Sequence, residues 1–109
     1  MKSSEHLNAI ADFFQNGKNN WTRLYSARDK DGNGCEPDNL KAVSFCALGA
    51  ARLLVPREEW YPRVRGYLTN ALPPNELSLP VYNDEVAHGK RDIIRLYRRA
   101  AKLAAKAGD

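Results

Sequence analysis

Cysteine and histidine are scarce in this chain. Cys35 and Cys46 are its only thiols, and His6 and His88 its only imidazoles. Two cysteines are too few for a disulfide framework, and no cysteine–histidine spacing of the zinc-holding kind is present, so both thiols are expected to be reduced. Long apolar runs are missing as well. The longest, residues 43–55, is broken by Ser44 and Arg52, and a bilayer span needs about 20 apolar residues. Glu5 and Asp12 interrupt the first residues, which therefore lack the apolar core of an export signal. A cytoplasmic protein without a membrane span is expected. No internal repeat is present, the absence of a glycine-rich loop and of a base-reading motif weighs against nucleic acid, and neither a cofactor nor a metal is expected.

What is present suits one globular domain over residues 1–109. That length can bury one core but not two, and 43% hydrophobic with 28% charged residues is an ordinary composition for one. The net charge is +4. Residues 1–45 hold six basic and six acidic side chains, and residues 46–109 hold eleven and seven. The positive surplus therefore lies wholly in the second part.

Apolar spacing predicts a compact, mainly α bundle of about four helices. Ser3 or Ser4 can cap a first helix that runs through Phe14, with Leu7, Ile10, Ala11 and Phe14 on one face and Gly17 as the stop. Residues 18–38, with Asn-Asn, glycines and a proline, read as a long ordered loop that could hold a short hairpin, tied down by Trp21, Leu24 and Tyr25. Asp38 can cap a second helix reaching Leu54, on which Leu40, Val43, Ala47, Ala50 and Leu54 form a stripe. Gly49 inside that stripe costs about 1 kcal/mol relative to alanine, which suggests a second backbone in close approach. A third helix is expected over residues 57–71, with Pro62 in its tolerant first turn. Residues 75–82, where Leu77, Leu79 and Val81 alternate, read as extended loop. A last helix is expected over residues 90–107, with Ile93, Ile94, Tyr97, Ala100, Ala101 and Ala104 inside.

Asp29-Lys30-Asp31-Gly32-Asn33-Gly34 spells the opening of a calcium-binding loop. Such a loop needs an oxygen ligand at its ninth position and a bidentate glutamate at its twelfth. Pro37 and Leu40 stand there instead. A tight surface turn is the better reading, since glycine and asparagine tolerate positive φ.

Cys46, His88 and Asn83 or Asp84 can be assembled on paper as thiol, base and orienting group. Cys46 falls in an apolar stretch, however, where an inert buried thiol is the rule. Arg91, Arg95, Arg98 and Lys102 recur at spacings of four, three and four along the last helix, a cationic stripe that suits phosphates or an acidic partner.

Trp21, Ala27-Arg28-Asp29 with Gly32, Pro37-Asp38, Ala42, the run Phe45-Cys46-Ala47-Leu48-Gly49-Ala50 and Tyr82-Asn83-Asp84 together resemble an uncharacterised small-domain family, a domain of unknown function, of bacteria and phages. The resemblance covers residues 21 to about 101. Phe45 and Tyr82 stand where the family pattern has tryptophan. It implies a bacterial or phage source and nominates Asp29, Cys46, Asn83 and Asp84 as a polar latch or site. It carries no activity. The expected role is an accessory protein that binds another macromolecule, in the first place a protein. Nucleic-acid binding through the basic helix is the alternative, and a small enzyme built around Asp29, Cys46 and Asp84 the second.

Overall fold

The computed structural model describes every residue except Lys18 and Leu77. Helix α1 (Ser3–Gln15) is followed by four two-residue strands, β1 (Asn20–Trp21), β2 (Ala27–Arg28), β3 (Gly34–Cys35) and β4 (Ser44–Phe45). Then come α2 (Ala47–Leu54), α3 (Arg57–Glu59), a π-helical turn (Trp60–Val64) and α4 (Arg65–Ala71). The chain ends with α5 (Leu79–Val81), a second π-helical turn (Tyr82–Val86) and α6 (Lys90–Lys106). The fold is thus α+β, and the expected mainly α bundle is corrected by a mixed four-stranded sheet of order β1-β4-β2-β3. In it β4 runs parallel to β1 and antiparallel to β2, and β2 antiparallel to β3.

The core lies where α1 and α6 pack along each other. Leu7, Ile10, Ala11 and Phe14 of α1 are fully buried, as are Ile93, Leu96, Tyr97, Ala100 and Ala104 of α6. This is the pairing that their 3.6-residue periodicity requires. Phe13 carries the helical layer onto the sheet, its ring edge-to-face with Phe45 at 4.9 Å.

The largest departure from the expected helices falls at residues 38–54. Asp38 starts no helix, Leu40 is completely exposed, and Ser44–Phe45 is drawn into the sheet. Backbone pairing decides this: Val43 N–H donates to the Arg28 carbonyl at 2.9 Å and Cys46 N–H to the Ser26 carbonyl at 3.0 Å, so neither group is left for an intrahelical bond. The helix starts only after Cys46. Gly49 is required at its place because a Cβ there would stand 2.0 Å from the Ser26 carbonyl oxygen.

Pro62 lies beyond the first turn. Lacking an N–H, and with a ring that collides with the preceding turn, it is accommodated by widening the helix to π geometry, where Arg65 N–H reaches the Trp60 carbonyl and Trp60 and Val64 stay buried. Residues 79–86 are helical rather than extended. Ser78 caps them by accepting from Val81 N–H at 3.3 Å, and Pro80 sits in the first turn, where it is tolerated. Leu77, placed in an alternating run by the sequence, lies outside the described residues.

Candidate functional site

Asp29 does not join the other nominated residues. It closes the hairpin between β2 and β3, its Oδ1 accepting from Asp31 N–H at 2.9 Å and Asn33 N–H at 3.0 Å while Gly32 takes φ +84°. The motif Asp29-Lys30-Asp31-Gly32-Asn33-Gly34 is a turn held by its own aspartate.

Cys46, Asn83 and Asp84 do come together, where the start of α2 meets the second π-helical turn. Asn83 is buried and fully bonded. Its Oδ1 accepts from Trp21 Nε1 at 2.7 Å and from Ala47 N–H at 3.0 Å, and its Nδ2 donates to the Thr22 carbonyl at 3.2 Å and to Asp84 Oδ1 at 2.9 Å. One side chain therefore joins β1, the loop after it, α2 and the π turn. Cys46 caps α2, its Sγ accepting from Gly49 N–H at 3.2 Å. Burial pushes its thiol pKa up against the pull of the Gly49 and Leu48 N–H groups, with Asp84 adding to the rise. The thiol stays protonated at neutral pH, the wrong state for a nucleophile. His88 stands at the approach to α6, and among the described residues its ring makes no hydrogen bond with Cys46.

Asp84 has a further partner. Its Oδ1 also accepts from Leu24 N–H at 3.0 Å, and Leu24 is held at φ +72°. A leucine in the left-handed region costs about 1 to 2 kcal/mol. Sequence reasoning placed Leu24 and Tyr25 as buried anchors of the loop, yet they are 73% and 51% exposed; of the three, only Trp21 packs against the core. Tyr25 is held nonetheless. Its ring lies over Gly34, where a Cβ would come within 2.3 Å of Cδ1, and the Arg28 guanidinium stacks 4.3 Å from its centroid. Arg28 is in turn fixed by Thr22 Oγ1 and the Gly32 carbonyl, each at 2.8 Å.

Beside this pair opens a groove of about 200 Å³, bounded by Leu24, Tyr25, Leu48, Arg52, Pro80 and Asp84. That is below the roughly 300–1,000 Å³ of small-molecule sites, so it suits a protruding side chain better than a cofactor. No signal in the sequence marks Leu24, because positive φ is announced by glycine or asparagine and not by leucine.

The cationic stripe of α6 is not uniform. Arg98 turns inward onto α1, donating to Asn8 Oδ1 at 2.8 Å, Asp12 Oδ1 at 2.6 Å and Gln15 Oε1 at 2.8 Å. Arg99, outside the predicted four, holds the Ala71 carbonyl at the end of α4. Arg91, Arg95 and Lys102 are exposed. Among the described residues no group of three or more histidine, cysteine, aspartate or glutamate side chains could hold a metal ion, and no helix is long and apolar enough to cross a membrane.

By its match over residues 1–103, the chain belongs to a family of unknown function (DUF6197). No curated protein and no solved structure matches it.

Proposed function

We propose that this chain is a protein-binding module, an accessory protein of a bacterium or phage, whose contact face is the Leu24–Tyr25 loop and the groove beside it. One observation carries the reading. The loop holds a leucine at positive φ with its side chain in water, fixed there by Asp84, and such strain persists only where the surroundings impose it. The fold gains little from an apolar group so placed, whereas a partner would gain a preset contact. Tyr25, immobilised over Gly34 and Arg28, is the kind of rigid aromatic anchor that dominates protein interfaces. The bacterial or phage setting rests on the sequence resemblance, and the groove's small volume and the protonated Cys46 thiol support binding over catalysis. Nucleic-acid binding along α6 loses support from the commitment of Arg98 to α1.

A photo-crosslinking amino acid at position 25, compared with one at the exposed Leu103 of α6, tests the reading. The expected result is a discrete protein adduct in bacterial extract from position 25 alone. Equal adducts from both positions, or none from either, would refute it.

A further inference from the structure

The first turns of α6 contain three cations where the helix is least hospitable to them. Lys90 and Arg91 occupy its first turn, at the positive end of the helix dipole, which favours acidic side chains. Arg95 follows Arg91 by four residues, the spacing at which like charges repel across a helix face. The single acid of that turn, Asp92, is engaged in bonding His88 N–H at 2.9 Å. Among the described residues neither Arg91 nor Arg95 has an ion pair or a side-chain hydrogen bond, while Arg98, one turn on, has four contacts to α1. The same helix thus has one arginine built into the fold and two left facing solvent at an electrostatic cost.

Those two, with Lys90, Ile94 and Gln15, line an open concavity of about 590 Å³ that contains no acidic side chain. Lys90 is steadied by its Nζ contact to the Asn19 carbonyl at 3.3 Å, and the partly buried Ile94 packs against the core and gives the surface an apolar patch.

We propose that this concavity binds a short acidic segment of a protein. Charge complementarity selects an anion, and two features select the class. From Lys90 to Arg95 is five residues, about 7.5 Å of helix rise, room for one or two anionic groups and not for the run of six to ten phosphates over which nucleic-acid binders gain affinity. Beyond Arg95 the stripe is interrupted by the Arg98–Asp12 pair. The aliphatic contribution of Ile94 also fits the methylenes of glutamate better than a sugar–phosphate backbone. This concavity shares no lining residue with the groove beside the Leu24–Tyr25 loop, and its test needs no partner found there.

The probes are a fluorescein-labelled oligo-glutamate peptide and a thymine oligonucleotide of equal net charge, each titrated by anisotropy against the whole chain at matched salt. The peptide is expected to bind the more tightly. Replacing Arg91→Gln and Arg95→Gln together should weaken it about tenfold or more, as loss of dominant interface residues does, while Lys102→Gln, an exposed cation farther along α6, should change it less than about twofold. The double variant should melt no lower than the wild type, since it relieves repulsion. Tighter binding of the oligonucleotide, equal weakening by Lys102→Gln, absence of peptide binding, or a lowered melting temperature in the double variant would each overturn the proposal.

Discussion

Asn83 shows how much one side chain can decide. Two of its four hydrogen bonds reach segments more than sixty positions away in sequence, and a buried donor that loses its acceptor costs about 1–3 kcal/mol. Asn83→Leu leaves Trp21 Nε1 and Ala47 N–H without their acceptor, so it should destabilise by roughly 2–4 kcal/mol in chemical denaturation. A loss under 1 kcal/mol would mean that water takes its place. Gly34→Ala should act differently. What its Cβ meets is the Tyr25 ring, which would be pushed off Gly34 towards solvent, so stability should change by less than about 1 kcal/mol while the Tyr25 crosslink falls. Residue-scale features were legible in the sequence in part. Asn83 and Asp84 stood out through the family pattern and Gly49 through its cost in a helix, but the exposure of Leu24 and Tyr25 could not be read because any loop with two large apolar residues looks anchored.

Among the elements, α2 starts later than its sequence suggests, and this changes the surroundings of its cysteine. In an apolar helix interior a hydroxyl at position 46 would lack a partner, but Cys46 is the N-cap, its sulfur accepting from Gly49 N–H. Serine is a far better cap acceptor. Cys46→Ser should therefore be neutral or stabilising by up to about 1 kcal/mol, and Cys46→Ala destabilising by about 1 kcal/mol, in thermal or denaturant unfolding. The two halves of the basic stripe should also separate. Arg98→Gln should cost about 1 kcal/mol by loosening α1 from α6, a moderate figure because Asp12 is largely exposed, whereas Arg91→Gln should cost nothing. The long amphipathic helices α1 and α6 were legible because three or more turns display their periodicity. Strands of two residues show no alternation, and the apolar run 43–55 reads as one helix although its first residues belong to the sheet.

At the scale of the whole molecule, Asp109 ties the end of α6 to the start of α1. Its carboxylate accepts from Ser3 N–H at 3.0 Å and Ser3 Oγ at 2.7 Å and pairs with Arg63 at 2.6 Å. The Ser3 amide and hydroxyl, then Arg63, hold its pKa below the ordinary 3.8. A carboxyl with a lowered folded-state pKa stabilises above its unfolded value and loses that contribution as the pH falls through the folded one. Melting temperature should therefore drop more steeply below about pH 4 in the wild type than in Asp109→Asn, and parallel curves would remove Asp109 from the acid response. The arrangement of the sheet, the two π turns and this clasp depends on contacts distant in sequence, which local patterns do not encode. The most direct measurement is Leu24→Asn, with melting temperature and binding to the Tyr25-crosslinked protein taken on one preparation. Asparagine tolerates positive φ, so relief of about 1 kcal/mol of strain should keep the melting temperature at or above the wild-type value while binding is lost. A variant that melts several degrees lower, or that binds unchanged, would show that Leu24 serves the fold and not a partner.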